Sequence, residues 1–230
     1  MILLWNPEKF DSITQVDNNL KPATARDVED YCCDKGSFKG DAPCDNIPLY
    51  DPARLAAQNQ VYVIVPLQIL GTRRIIIVAA THLKAKKGYT NERIRHLQAL
   101  ELMYRLHKMK RSLQSYGWKD VELVILGDFN SEPEDLSVQC ILQTDNYPEW
   151  NMKSSYPLDD NKLYTTWKAR KDGPECRIID YIFYFTSSEQ TMLECTDILA
   201  VPEKQSVDEL LPGFRYPSDH LLIAARFSVV

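Results

Sequence analysis

Four stretches of this 230-residue chain interrupt or end an apolar run with a chemically capable side chain: Thr81-His82-Leu83, Gly127-Asp128-Phe129-Asn130, Ile179-Asp180-Tyr181 and Ser218-Asp219-His220. In an extended chain successive side chains alternate faces, so Asp128 and Asn130 point the same way while Phe129 turns back into packing. Gly127 leaves room for a ligand or another backbone to come close. Each stretch also has an ordinary reading. His82 alone suits a hydrogen-bonded structural histidine, Asp128-Phe129-Asn130 an Asx turn, and Ser218-Asp219 after Pro217 a surface turn. Asp180 resists such a reading, because a carboxylate set between isoleucines must be paired or hold a cation. Four exceptions of this kind in one chain point to a site, since local rules fail mostly where function requires it.

The chemistry these residues suit is attack of water on phosphorus. Asp128, Asn130 and Asp180 offer hard oxygen ligands of the kind that select Mg²⁺. A histidine beside an aspartate, as in Asp219-His220, supplies a base or a transition-state donor. A divalent ion and cationic side chains then neutralise charge building on phosphoryl oxygens. Lys84, Lys86 and Lys87 follow His82, and Lys168 and Arg170 follow Trp167. As residues alone, these cations read equally well as solvated loops.

Positioning such groups takes elements. Gln60–Leu70 is a β-branched run, Gly71-Thr72-Arg73-Arg74 a turn, and Ile75–Leu83 a strand too apolar on both faces for a sheet edge, so the pair predicts a hairpin with a central second strand. From Asn91 to Ser115 apolar residues recur at threes and fours (Ile94, Leu97, Leu100, Leu102, Met103, Leu106, Met109), which predicts a long helix ending near Gly117. A strand at 121–126 follows, giving a strand–helix–strand crossover. A short helix is expected over 134–143, a polar loop after it, strands at 178–184 and 221–229, and a mixed segment to 210. Residues 2–10 read as strand-like. The segment 21–54, charged and rich in proline, reads as a surface loop or insertion. The sum is an α/β layered sandwich with its ligand site at the strand ends.

Composition narrows the class. The chain is 44% hydrophobic and 26% charged with a net charge of −5, so its surface as a whole is no nucleic-acid glove and an anion site must be local. No apolar run approaches the roughly 20 residues of a membrane span, and the N-terminus lacks a signal-peptide pattern. Cys32, Cys33, Cys44, Cys140, Cys176 and Cys195 show no CxxC spacing, which suits reduced thiols.

Taken in order, Thr81-His82-Leu83, Gly127–Pro133 (GDFNSEP), Tyr164–Lys168 (YTTWK), Ile179–Tyr184 (IDYIFY) and Tyr216–His220 (YPSDH) resemble the motifs of the endonuclease/exonuclease/phosphatase superfamily. Within it the similarity is to the branch of nocturnin, Angel and the carbon-catabolite-repressor-type deadenylases. The segments Thr81–Gly88, Asn91–Gln98, Thr165–Arg170 and Glu175-Cys176-Arg177 look nocturnin-like. The resemblance covers about residues 60–229, and 1–15 weakly.

The resemblance implies a four-layer α/β sandwich in one domain and a Mg²⁺-dependent hydrolase. It implies that Asp128 positions the attacking water, Asn130 holds a phosphate oxygen and Asp180 serves the metal region. Asp219 would orient His220 against the scissile phosphate, and His82 would contact that phosphate. Lys84, Lys86 and Arg170 would hold substrate phosphates, and Asp128, Asn130, Asp180 and His220 would surround the metal. It further implies removal of the 2′-phosphate of NADP(H) or, alternatively, 3′ exonuclease action on poly(A) RNA, by a monomer without membrane attachment. A cytoplasmic location is expected, or a mitochondrial one if a targeting segment precedes the chain. One departure counts against catalysis: the family's LQE-type motif, whose glutamate is a principal Mg²⁺ ligand, is not in the sequence, and Glu8 sits in a different context. The expectation is therefore that this is the larger, C-terminal part of the domain, and a non-catalytic binding module is the competing function.

Overall fold

The computed structural model describes residues 10–12, 34–37, 60–143, 147, 150–186, 193–204 and 210–229. A seven-stranded mixed sheet organises them. Strand β3 (Val61–Ile69) turns through Leu70–Arg73 into β4 (Arg74–His82), antiparallel to it. On the outer edge of β3 lie β1 (Phe10–Ser12), paired with residues 67–69, and β2 (Asp34–Ser37), paired with 61–64. Pro66, which has no N–H to give a ladder, falls in the gap between those pairings. The strand-like reading of 2–9 and most of the 21–54 segment lie outside the described residues; within that segment, 34–37 is the strand β2.

After β4 the chain enters helix α1 (Tyr89–Ser115), runs back along the sheet for about 40 Å, and returns as β5 (Asp120–Asp128), parallel to β4. The apolar repeat that predicts α1 is its buried face: Ile94, Leu97, Leu102, Met103, Leu106, Met109 and Leu113 pack on the sheet. The helix closes on a Schellman turn. Gly117 at φ 90° donates its N–H to Gln114 O, and Trp118 donates to Leu113 O, so the glycine expected to stop the helix takes the left-handed position beyond its end. Strand β4 is buried on both faces, as expected of a central strand.

Helix α2 (Leu136–Leu142) and strand β6 (Asn151–Ser154) follow. Strands β7 (Thr166–Arg170) and β8 (Gly173–Arg177) form a separate hairpin, and β9 (Asp180–Thr186) inserts antiparallel between β5 and β6. The sheet order is β1-β3-β4-β5-β9-β6. Strand β10 (Leu193–Ile198) pairs with the last strand, β11 (Ala225–Val229). The final strand is four residues shorter than the pattern suggests: Leu221 gives its N–H to Thr165 O, and Leu199 reaches Ala224 by a single backbone bond. Between the predicted helix at 134–143 and strand at 178–184, where the pattern shows a polar loop, three strands form instead.

Two cores result. Helices α1 and α2 cover one face of the sheet through Ile75, Ile77, Leu123, Ile125, Phe129 and Phe183. The β10–β11 ribbon covers the other through Leu193, with Ile223, Ala225 and Phe227 beside Val124 and Ile182. This is the α/β layering expected: helices, a mixed sheet, and a second β layer. Among the described residues no helix is long and apolar enough to cross a membrane, and Cys176 and Cys195 are free thiols.

Candidate active site

The sheet's register builds the centre of the site. His82 pairs with Asp128, and Asp128 with Asp180, so the last residues of β4 and β5 and the first of β9 stand in one row. Residues directly opposite in a ladder project to the same face, which is why three positions distant in sequence meet. His82 Nε2 lies 3.4 Å from Asp128 Oδ2 and remains 60% exposed at its side chain, whereas the side chains of Asp128 and Asp180 are 17% and 14% exposed. Gly127 makes the row possible. At φ 146° it brings β5 so close to β4 that an added Cβ would meet Thr81 O at 1.9 Å.

A second group arrives from the loops. Thr166 forms a bridge with His220, Thr166 Oγ1 donates to Asp219 O, and Leu221 N–H donates to Thr165 O. Thr165 Oγ1 in turn accepts the N–H groups of Ile179 and Asp180. This stitching presses His220 onto the row: Nδ1 lies 2.8 Å from Asp180 Oδ2, and Nε2 lies 3.8 Å from Asp128 Oδ2. The carboxylate partner fixes the proton on Nδ1. The hydrogen bond to Asp180 holds the imidazole above its ordinary range. Burial, and then the charge of Asp180, push the Asp128 carboxyl up. Asp128 Oδ1 accepts the N–H of Asn130, which sits at φ 51°, and Asn130 Nδ2 donates to Leu83 O. The Asx turn and the site are thus the same feature.

One expectation requires correction. Asp219 does not orient His220; Asp180 does. Asp219, half exposed, accepts from Lys168 Nζ at 2.5 Å, and that bond holds its carboxyl below the usual range. Lys168 also places Nζ 3.0 Å from His220 Nε2, making it the cation nearest the row, a place the sequence reading did not give it. The cause is topological: the loop 218–220 is turned by β7, so adjacent residues in sequence face different partners.

Beside the row lies a cleft of about 750 Å³ whose lining includes Asn130 and six cations, Lys86, Lys87, Lys168, Arg170, Lys171 and Arg177, against Asp172 and Glu175. Glu175 pairs with Lys87 and with Arg170 at 3.4 Å, and the Lys87 contact keeps its carboxyl below the usual range. Arg177 is held 2.7 Å from Glu132. Of the cations expected to bind phosphate, Lys86 and Arg170 line this cleft; Lys84 does not, its backbone being engaged beneath it. The β7–β8 hairpin forms the far wall, and nothing in its sequence pattern announces that.

Ligand atoms of Asp128, Asp180 and His220 lie within 4.8 Å of one another. A cation held between two adjacent, partly buried carboxylates would offset their repulsion. The donor set fits a divalent ion on Asp128 and Asp180, with Asn130 tied to Asp128 Oδ1 through its N–H. His220 completes the group, with Nδ1 bonded to Asp180 Oδ2 and Nε2 3.8 Å from Asp128 Oδ2.

No protein-family model matches the chain. It is 35% identical to nocturnin of Xenopus laevis over 182 residues, which are 76% of this chain and 43% of that protein. Among solved structures, the human nocturnin catalytic domain with bound sulfate superposes with a TM-score of 0.62 at 24% identity, covering 97% of this chain and 62% of that one. ANGEL2, a 2′,3′-cyclic phosphatase in complex with adenosine-2′,3′-vanadate, gives 0.58 at 20% identity, covering 85% and 66%. The chain spans less than half the length of the nocturnin it matches. With its fold, its row of strand-end carboxylates and these relatives in agreement, the chain belongs to the endonuclease/exonuclease/phosphatase superfamily, in its nocturnin-like branch.

Proposed function

We propose that the protein is a Mg²⁺-dependent phosphohydrolase that removes a phosphate from a nucleotide, the 2′-phosphate of NADP(H) being the substrate its cleft suits best. The observation that carries this reading is the cationic cleft beside the group of Asp128, Asp180 and His220, joined to it by two lining residues: Asn130, whose N–H donates to Asp128, and Lys168, whose Nζ stands 3.0 Å from His220 Nε2. A chain of net charge −5 concentrates six cations in that one hollow, enough to receive a compact group of phosphates but not a long strand. The sulfate on human nocturnin and the vanadate nucleotide on ANGEL2 support an oxyanion ligand of this class.

In this reading Asp128 orients the attacking water, and Asn130 presents its amide to a phosphoryl oxygen. His220, held by Asp180, directs Nε2 at the phosphoryl group, and Lys168 stands 3.0 Å away to share its charge. His82, exposed at the row's end, closes on the same group. Lys86 and Arg170 hold the remaining phosphates. Asp128 and Asp180 would hold the metal, which supplies Lewis-acid neutralisation of phosphoryl charge when bound. Phosphate release from NADPH measured beside AMP release from oligo(A), in Mg²⁺, tests the assignment. Phosphate from NADPH alone supports it, AMP from oligo(A) alone favours the exonuclease, and neither product favours a non-catalytic binding module.

A further inference from the structure

Buried in helix α1 is a cation that neither the row nor the cleft uses. Arg95 is 4% exposed, and its hydrogen bonds go to neutral acceptors: Nε donates to Ser131 Oγ at 2.7 Å, and Nη1 donates to Lys84 O at 3.3 Å and to Lys86 O at 2.8 Å. One turn on, Gln98, fully buried, offers Oε1 to the N–H of Lys84 at 2.9 Å. A buried guanidinium is expensive to desolvate, and an apolar side chain would fill the same space at less cost. What distinguishes arginine here is reach in several directions from one planar group.

Those directions are informative. Leu83 N–H donates to Asp128 O, and Leu83 O accepts from Asn130 Nδ2. Together with Arg95 and Gln98, these bonds engage both backbone groups of Leu83 and of Lys84 and the carbonyl of Lys86. Lys86 itself is held at φ 82°, a conformation a side-chain-bearing residue rarely adopts unless its surroundings impose it. Arg95 also reaches the loop after Asn130, where Ser131 Oγ meets Ser137 Oγ at 2.6 Å and Ser131 O accepts from the Tyr181 hydroxyl. A single side chain therefore fastens the loop that carries Lys86 and Lys87 to the loop that follows Asp128 and carries Asn130.

We infer that Arg95, assisted by Gln98, is a positioning residue for the anion cleft: it touches no ligand, and it sets where Lys86 and Lys87 stand relative to Asp128 and Asn130. The inference rests on the cleft being the phosphate site, and it separates two properties. Loss of Arg95 loosens the cationic wall and weakens affinity, while the row of Asp128, Asp180 and His220, built from sheet register and the β7 loop, keeps its geometry.

The test uses the whole chain and adenosine 2′,5′-bisphosphate as probe, with affinity measured by titration calorimetry on wild type, Arg95→Gln, Arg95→Lys and Gln98→Met. Arg95→Gln is expected to weaken binding by about tenfold, with Arg95→Lys intermediate and Gln98→Met several-fold weaker than wild type. In turnover, KM for NADPH rises in parallel while kcat changes by less than about threefold. Near-UV circular dichroism identifies the variants that fold; should Arg95→Gln not fold, Arg95→Lys and Gln98→Met decide. Folded variants that bind the probe like wild type overturn the inference, as does a fall in kcat with KM unchanged. If wild type binds the probe but releases no phosphate, the proposed reaction fails and the affinity series still decides the role of Arg95.

Discussion

Asp180 is the residue on which the site turns: it opens β9, stands in the row with Asp128 and accepts from His220 Nδ1 at 2.8 Å. Asp180→Asn keeps the shape and removes the charge. The His220 ring, titrated by NMR in the absence of added metal, should then protonate at lower pH than in wild type, because the bond to Asp180 is the largest influence raising it. Turnover should fall by about a hundredfold or more, as expected when a positioned acid–base group is lost. Glu122 makes a contrasting case. It is 4% exposed in β5, its Oε2 meets no donor among the described residues, and burial pushes its carboxyl up to about 7. A raised carboxylate pKa means the folded state binds the proton more tightly. Stability therefore falls as pH rises from the ordinary value of 4.5 to about 7, by about 3 kcal/mol in total. Glu122→Gln should remove that slope, so that urea denaturation shows the variant gaining on wild type across this window and level with it in slope above.

At the scale of elements, the close approach of β4 and β5 is the feature most exposed to test. Gly127→Ala places a methyl where Thr81 O already lies and should destabilise the fold by about 3–5 kcal/mol. Gly117→Ala, beyond the end of α1 at a left-handed φ of 90°, should lose about 1 kcal/mol. Similar losses at the two positions in denaturant titrations would contradict the geometry at Gly127. The same elements show what a sequence can reveal. β3, β4, α1, β5 and β9 are legible because each carries a hydrophobic period of its own. His82, Asp128, Asp180 and His220 are legible because each breaks such a period. The β7–β8 hairpin is not, since Gly173-Pro174-Glu175-Cys176-Arg177 has no strand pattern and exists through its pairing with Thr166–Arg170. For that reason the places that Lys168, Thr165 and Glu175 take in the site appear only in three dimensions. The assignment of Asp219 to His220 fails for a related reason: adjacency along the chain predicts nothing about which strand a loop will face.

Across the whole molecule, charge decides what the cleft can take. The chain carries a net charge of −5, and six of its cations line one hollow, so few phosphates are engaged at once. The logarithm of kcat/KM for NADPH plotted against the logarithm of salt concentration should have a slope of about −1 to −2, whereas a strand-tracking nuclease with several phosphate contacts would give a steeper one. That slope presupposes hydrolysis at the carboxylate row, whereas the role of Arg95 presupposes only that the cleft binds phosphate. The most direct measurement is inorganic phosphate released from NADPH in Mg²⁺ by wild type and by Asp128→Asn, with and without EDTA. The account predicts release by wild type that EDTA abolishes, and loss of that release in Asp128→Asn while the protein stays folded. No release by wild type, or release that survives the loss of Asp128, would contradict it.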